Sequence, residues 1–318
     1  MIFGPNASGK TNLLEALSLL STGKSFRART EIEMVSYGRE MARVKGMVDN
    51  TSLEVILTRG DNGCPKKRLL VNGVPKRLAD FAGIFKTVLF GPWDMDLVTD
   101  SPSLRRSFLD GVLFQVDREY RRASLSYEKG LRQRNRLLLR IREEGLSRSQ
   151  LLFWNQLLIK AGNYLTAKRE GLIAFINSCH PLPVTHNLVY DRSVISEGRL
   201  EQYAEEEVAA ATTLVGPHRD DFVFKVINGR QEARELARFG SRGEQRMAVL
   251  WLKLAELAFI EEVTGDRPTL LLDDIFSELD HEHRDVVKKV VGDQQTVITA
   301  ADKHFLGGQK WPLKIQLE

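Results

Sequence analysis

A chain of 318 residues, 42% apolar and 28% charged, can build two domains or one large domain with an insertion, which excludes wholesale disorder. The net charge is a modest +4, no apolar run approaches the roughly 20 residues of a membrane span, and glycine and proline interrupt the first residues before a secretory leader could form. Cys64 and Cys179 stand far apart with no C-x-x-C pairing, so free thiols and a cytoplasmic setting are expected.

The chain opens MIFGPNASGKTNLLEAL, in which Gly4, Gly9, Lys10 and Thr11 fit G-x-x-x-x-G-K-[ST]. In a loop of this kind backbone N–H groups wrap phosphate oxygens, the lysine meets the outer phosphates and the hydroxyl holds Mg²⁺. A helix follows from Thr11 to about Leu20. The strand leading into the loop is only Met1 to Phe3, so an unpaired sheet edge is expected beside it. Next, RVKGMVDNTSLEVILTR and KKRLLVNGVPKRL alternate as strands do, and Val71-Asn72-Gly73-Val74 carries the Asn-Gly signal of a tight hairpin.

From Ser103 the pattern is helical for most of a hundred residues. Between Gln115 and Arg142 nine Arg or Lys face three acids, which reads either as a solvated helix face or as a polyanion-binding surface. On the second reading Arg132, Arg134 and Arg136 are the candidate DNA contacts. Leu151, Leu158, Leu165 and Leu172 recur every seven residues, with Trp154 and Ala161 three further on. A break near Gly145 then predicts an antiparallel helical hairpin, or else an ordinary helical subdomain with a leucine core.

ATTLVGPHRDDFVFKVINGR returns to strand and turn chemistry. Its Gly216-to-Asp221 block suggests a Gly-Pro turn with aspartate caps, in which His218 makes structural hydrogen bonds; the residues alone assign it no chemistry. A helix near Gly243 to Glu262, a strand at Thr269 to Leu272, a helix from His281 and a strand at Thr296 to Thr299 restore α/β alternation. The expected division is therefore an α/β head built from 1–102 and 211–318, with a helical insertion at 103–210.

PTLLLDDIFSELD is an apolar strand ending in Asp273-Asp274, where the first carboxylate can hold Mg²⁺ and the next can polarise attacking water. The plainer alternative is an N-cap at a strand–helix turn. About thirty residues earlier, FGSRGEQRMAVLWLKLAEL places Ser241, Arg242, Gly243 and Gln245 at the mouth of a helix, an anion site by dipole and free N–H groups. That arrangement resembles the signature motif of ABC-type ATPases, and Ser277 to Asp280 resembles their D-loop.

Five blocks, GPNASGKTNLLEALSLLSTGKSFRA, VLFGPWDMDLVTDSPSLRRSFLD, LVGPHRDDF, SRGEQR and LLLDDIFSELD, together resemble the RecF family of recombination mediators, in that family's order and across essentially the whole chain. The resemblance implies an ABC/SMC-like P-loop ATPase head with an inserted arm, using ATP and Mg²⁺. It implies a homodimer closed around ATP, binding to double-stranded DNA and single/double-strand junctions, and loading of RecA at gaps with RecR and RecO. By the same resemblance Gly4, Asn6, Gly9, Lys10, Thr11 and Asn12 cradle phosphates, and Thr11 and Asp273 take the metal. Asp274 and Lys10 are catalytic, Ser241, Arg242, Gly243 and Gln245 form the trans signature, and Ser277 and Asp280 belong to the D-loop.

Some positions depart from the ABC pattern. Aspartate stands where transporter heads carry glutamate, which suits a slow switch. Asp94 is the nearest polar residue where a Q-loop glutamine would fall, and Ala300-Ala301-Asp302 replaces the switch histidine, with His304 close by. The family normally has a few tens of residues before the loop. Two other readings compete: the ATPase subunit of a membrane transporter, and a DNA-binding protein that does not cycle ATP.

Overall fold

The computed structural model describes residues 1–60, 66–182, 186–226, 233–275, 284, 287, 291, 294–301 and 313–317. The chain divides into two compact units, Met1–Met95 with Leu252–Glu318, and Asp96–Trp251.

In the first unit, β1 (Ile2–Phe3) runs through the glycine-rich loop into α1 (Lys10–Thr22). Gly23, at φ 69°, ends α1 by donating its N–H to the carbonyl of Leu19, and a side chain there would collide with Leu78. A meander follows: β2 (Met41–Val48), β3 (Thr51–Thr58), β4 (Lys66–Val71) and β5 (Val74–Lys76), all antiparallel. Asn72 and Gly73, both at positive φ, make the expected hairpin with Val71 opposite Val74. Leu53, Val55 and Leu57 of β3 are buried against Leu19, Leu20 and Phe81, so α1 is fixed by the meander's apolar face. Short α2 (Leu78–Phe81) and β6 (Thr87–Phe90) complete this part.

The second unit begins with α3 (Asp96–Thr99), α4 (Pro102–Val116), α5 (Arg118–Glu144) and α6 (Leu152–Ser178). α5 and α6 are antiparallel, as the bonds across them require: Tyr164 and Lys168 reach Asp117, whereas Asn155 meets Arg134. Leu151, Leu158, Leu165 and Leu172 are all buried in this unit. Then come β7 (His186–Asp191), α7 (Glu197–Gln202), α8 (Ala204–Ala210), β8 (Asp221–Val226), β9 (Arg234–Glu235) and α9 (Leu236–Phe239). Last, α10 (Arg242–Thr264) belongs to this unit up to Trp251 and to the first unit from Leu252.

The insertion is thus longer than the expected 103–210. β8 pairs with β7 over its whole length, and two ion pairs, Arg105–Asp221 and Arg169–Asp220, tie the segment after 210 to α4 and α6. These contacts also explain the Gly216-to-Asp221 block. Asp220 is fully buried and accepts from Arg169, Tyr190 and the backbone N–H of Ser193. His218 Nε2 lies 3.0 Å from the carbonyl of Thr213, which can only accept, so that nitrogen carries the proton and Nδ1 accepts from the Tyr127 hydroxyl at 2.8 Å. The block is the polar knot of the helical unit.

Back in the first unit, β10 (Thr269–Asp273), β11 (Thr296–Ala300) and β12 (Ile315–Gln316) join β1 and β6 in a parallel sheet of order β12-β1-β11-β10-β6. β10 is buried at every residue, which is why it reads as an unbroken apolar run. β1 is not the open edge that its shortness suggests. β12 pairs along it, with Ile315 and Leu317 donating to Met1 and Phe3, and the other side pairs with β11. The strand that covers it lies 313 residues downstream, so local sequence carries no sign of the pairing.

Candidate nucleotide-binding site

The loop between β1 and α1 is shaped by two left-handed residues, Ala7 at φ 67° and Gly9 at φ 94°. Alternation of this kind turns successive backbone N–H groups toward one concavity, a nest for anions. Gly4 has no room for a side chain, because a Cβ there would lie 2.5 Å from the carbonyl of Leu317 after β12. Lys10 folds back over the loop and donates to the carbonyls of Gly4 and Pro5, both at 2.7 Å. Asn6 and Asn12 are exposed, and Asn12 accepts from Arg27 at 3.1 Å, so a guanidinium stands beside the start of α1.

Two strands away, Asp273 ends β10 almost completely buried. Its Oδ2 accepts from the Thr11 hydroxyl at 2.8 Å, and its Oδ1 accepts from the Thr299 hydroxyl at 2.5 Å. The sheet order brings these groups together, since β11 lies between β1 and β10 with Thr299 in register with Ile2 and Asp273. Asp274 leaves the strand at φ 49°, a left-handed conformation that Asp tolerates better than most residues. A hydroxyl and a carboxylate at this spacing are hard oxygen donors and fit Mg²⁺ that keeps phosphate and water as its other ligands. The described residues contain no group of three or more His, Cys, Asp or Glu able to hold a metal by themselves.

Asp94 lies in the turn Pro92–Met95 and is buried. It accepts from the N–H of Gly91 and pairs at 3.1 Å with Lys253 of α10, which also meets Glu256 at 3.2 Å. Burial pushes the Glu256 carboxyl up to about 7, with Lys253 opposing the rise. Against the pull of burial, Asp94 and then Glu256 hold Lys253 above its ordinary value.

Residues 1–315 match the RecF/RecN/SMC N terminal domain family. The DNA replication and repair protein RecF of Herpetosiphon aurantiacus is 35% identical over 95% of this chain and 87% of its own length, and that of Cyanothece sp. is 37% identical over 94% and 84%. The chain belongs to the RecF family. Two solved structures of the recombination mediator protein RecF in the RecFOR pathway, RecF-ATPrS and RecF-ATP, superpose with TM-scores of 0.87 and 0.89. Their identities are 32% and 31%; the first covers 100% of this chain and 89% of that one, the second 99% and 88%.

Within this RecF-family fold, Ser241 and Glu244 cap α10 reciprocally: Glu244 accepts from the N–H of Ser241 at 2.7 Å, and Ser241 Oγ accepts from that of Glu244 at 3.3 Å. Ser241, Arg242 and Gly243 are exposed. Gln245, by contrast, is buried, and its amide donates to the carbonyl of Leu236 at 3.0 Å. Arg134, one of the three arginines expected to contact DNA, is likewise buried. It is 2% exposed and spends its guanidinium on Glu207, Thr213 and Asn155, whereas Arg132 and Arg136 on the same helix are exposed. A run of alternate arginines cannot all face water on a helix of 3.6 residues per turn. Ser277, Asp280 and His304 lie outside the described residues. Thr299, Lys253 and Glu256 escape a reading of the sequence, because a threonine ending an apolar strand and charges within a helix carry no motif.

Proposed function

We propose that this chain is an ATP-gated DNA-binding switch of the RecF type, which closes as a dimer around ATP and hydrolyses it slowly, promoting RecA loading at gaps with RecO and RecR. The observation that carries the reading is the Thr11–Asp273 bond, which brings a phosphate-loop hydroxyl and a strand-end carboxylate from 262 residues apart into one metal-binding pair. In this reading the nest N–H groups and Lys10 hold the phosphates, Thr11 and Asp273 hold Mg²⁺, and Asp274 accepts a proton from the attacking water. Mg²⁺ supplies charge neutralisation on the phosphates. The exposed Ser241, Arg242 and Gly243 at the start of α10 serve the nucleotide of a second copy.

The exposed cations Arg118, Arg122, Lys129, Arg132, Arg136 and Arg140 favour α5 as a DNA-facing element. They recur at helical spacing along one face, over about 33 Å at 1.5 Å per residue. Among the described residues no helix is long and apolar enough to cross a membrane.

ATP-driven dimerisation, followed by size in solution, tests the proposal. Lys10→Ala is expected to abolish it, and Asp274→Asn to accumulate closed dimers with turnover reduced at least about a hundredfold. Ser241→Arg is expected to bind ATP as a monomer, and mixing it with Lys10→Ala should restore one composite site. Normal dimerisation of Ser241→Arg alone would rule out the shared-site arrangement.

A further inference from the structure

We infer that Thr299 is a positioning residue for the strand end of the nucleotide site, orienting the Asp273 carboxylate that would hold the metal with Thr11 and anchoring the backbone of Asp274. The inference rests on the nucleotide-binding reading above. Thr299 is 1% exposed in the middle of the parallel sheet. A buried threonine in such a place ordinarily satisfies its hydroxyl on a nearby carbonyl. Here the carbonyl of Leu272 is 3.4 Å away, while the hydroxyl has a carboxylate oxygen of Asp273 at 2.5 Å. One hydroxyl has one proton, and the shorter, charge-assisted bond takes it. Its lone pair then accepts the N–H of Asp274 at 3.1 Å.

The consequence is a chain of orientation. Thr299 fixes one oxygen of Asp273, so the other is presented to Thr11. With its proton on Asp273, the Thr11 hydroxyl keeps its lone pairs for a cation. At the same time Thr299 pins the first backbone group after the strand, where Asp274 turns left-handed. One hydroxyl thus orients the carboxylate of Asp273 and anchors the backbone of Asp274. Neither could be aimed by the apolar run of β10, which fixes only the strand.

Thr299→Val, which keeps the volume and removes the hydroxyl, and Thr299→Ser, which keeps the hydroxyl, separate positioning from packing. Two quantities are read on the full chain: ATP affinity with Mg²⁺ and with chelator, and turnover. For Thr299→Val, chelator affinity stays at the parent value, the gain in affinity from Mg²⁺ shrinks about tenfold, and turnover falls about ten- to a hundredfold. Thr299→Ser returns both to within about threefold of the parent. A packing defect would instead lower affinity with and without metal and would not be rescued by serine. If Thr299→Val does not fold, as judged by its melting transition, Thr299→Ala is read in its place. Parent-like Mg²⁺ gain and turnover in a folded hydroxyl-less variant, or a Thr299→Ser as defective as Thr299→Val, would overturn the inference alone. A parent chain whose ATP affinity ignores Mg²⁺ would overturn the nucleotide reading together with it.

Discussion

His218 and Asp220 are separated by a single residue, and each is decided by what surrounds it. Asp220 has a buried guanidinium for a partner, whereas His218 is held neutral: burial pushes its pKa down to about 4, and the charges of Arg219, Arg106 and Arg134 act in the same direction. The folded chain therefore resists protonation that the unfolded chain accepts below about pH 6.5. Stability from this histidine is complete above about pH 6.5 and is lost as pH falls toward 4, a full effect of about 3 kcal/mol. Chemical denaturation of the parent and of His218→Gln is expected to show a stability gap near pH 7 that closes near pH 4.5. Comparing the two proteins cancels every other titrating group. A gap that widens in acid would mean that His218 is charged in the fold.

At the scale of the element, α10 carries more than its length suggests. Its first turn is a capping box, and Lys253, the second residue of α10 within the first unit, binds two buried carboxylates, Asp94 and Glu256. Removing the lysine takes the cation from both acids, so Lys253→Met is expected to cost about 3–5 kcal/mol, with only part of it recovered by adding Glu256→Gln because Asp94 keeps its charge. Glu256 also has its own pH signature. Because its folded pKa is raised to about 7, its contribution is complete below the ordinary carboxylate range and is lost as pH rises through 7. Glu256→Gln should therefore gain on the parent between about pH 5 and pH 8 in thermal melts. No change in that difference would mean that water or another cation already compensates the ionised form.

For the whole molecule, the relevant charge is the exposed charge, not the count of basic residues. Of the three alternate arginines on α5, Arg132 and Arg136 reach solvent and Arg134 closes a buried pair with Glu207. Removing Arg132 and Arg136 together is expected to flatten the slope of log K against log[salt] for duplex DNA by about 1.8, at about 0.9 per phosphate contact, with ATP affinity unchanged. Arg134→Ala belongs to another class, destabilising the unit by about 3–5 kcal/mol through the stranded Glu207. An unchanged slope in the Arg132/Arg136 variant would move DNA binding off this helix.

The sequence by itself determined the glycine-rich loop, the strand-end aspartates, the helix after Ser241, the α5–α6 hairpin and the family, because each depends on neighbours within a few turns of chain. Loop glycines, apolar strand runs and heptad leucines are local physics, legible wherever they occur. Tertiary structure alone decided which charges are buried, where the helical unit ends and what holds the aspartates. Arg134 and Glu207 lie 73 residues apart, Asp273 and Thr299 lie 26 apart on neighbouring strands, and β1 is covered by β12 from the far end of the chain. Strand order in a parallel sheet follows from crossovers, and no residue writes its partner's position in its own surroundings.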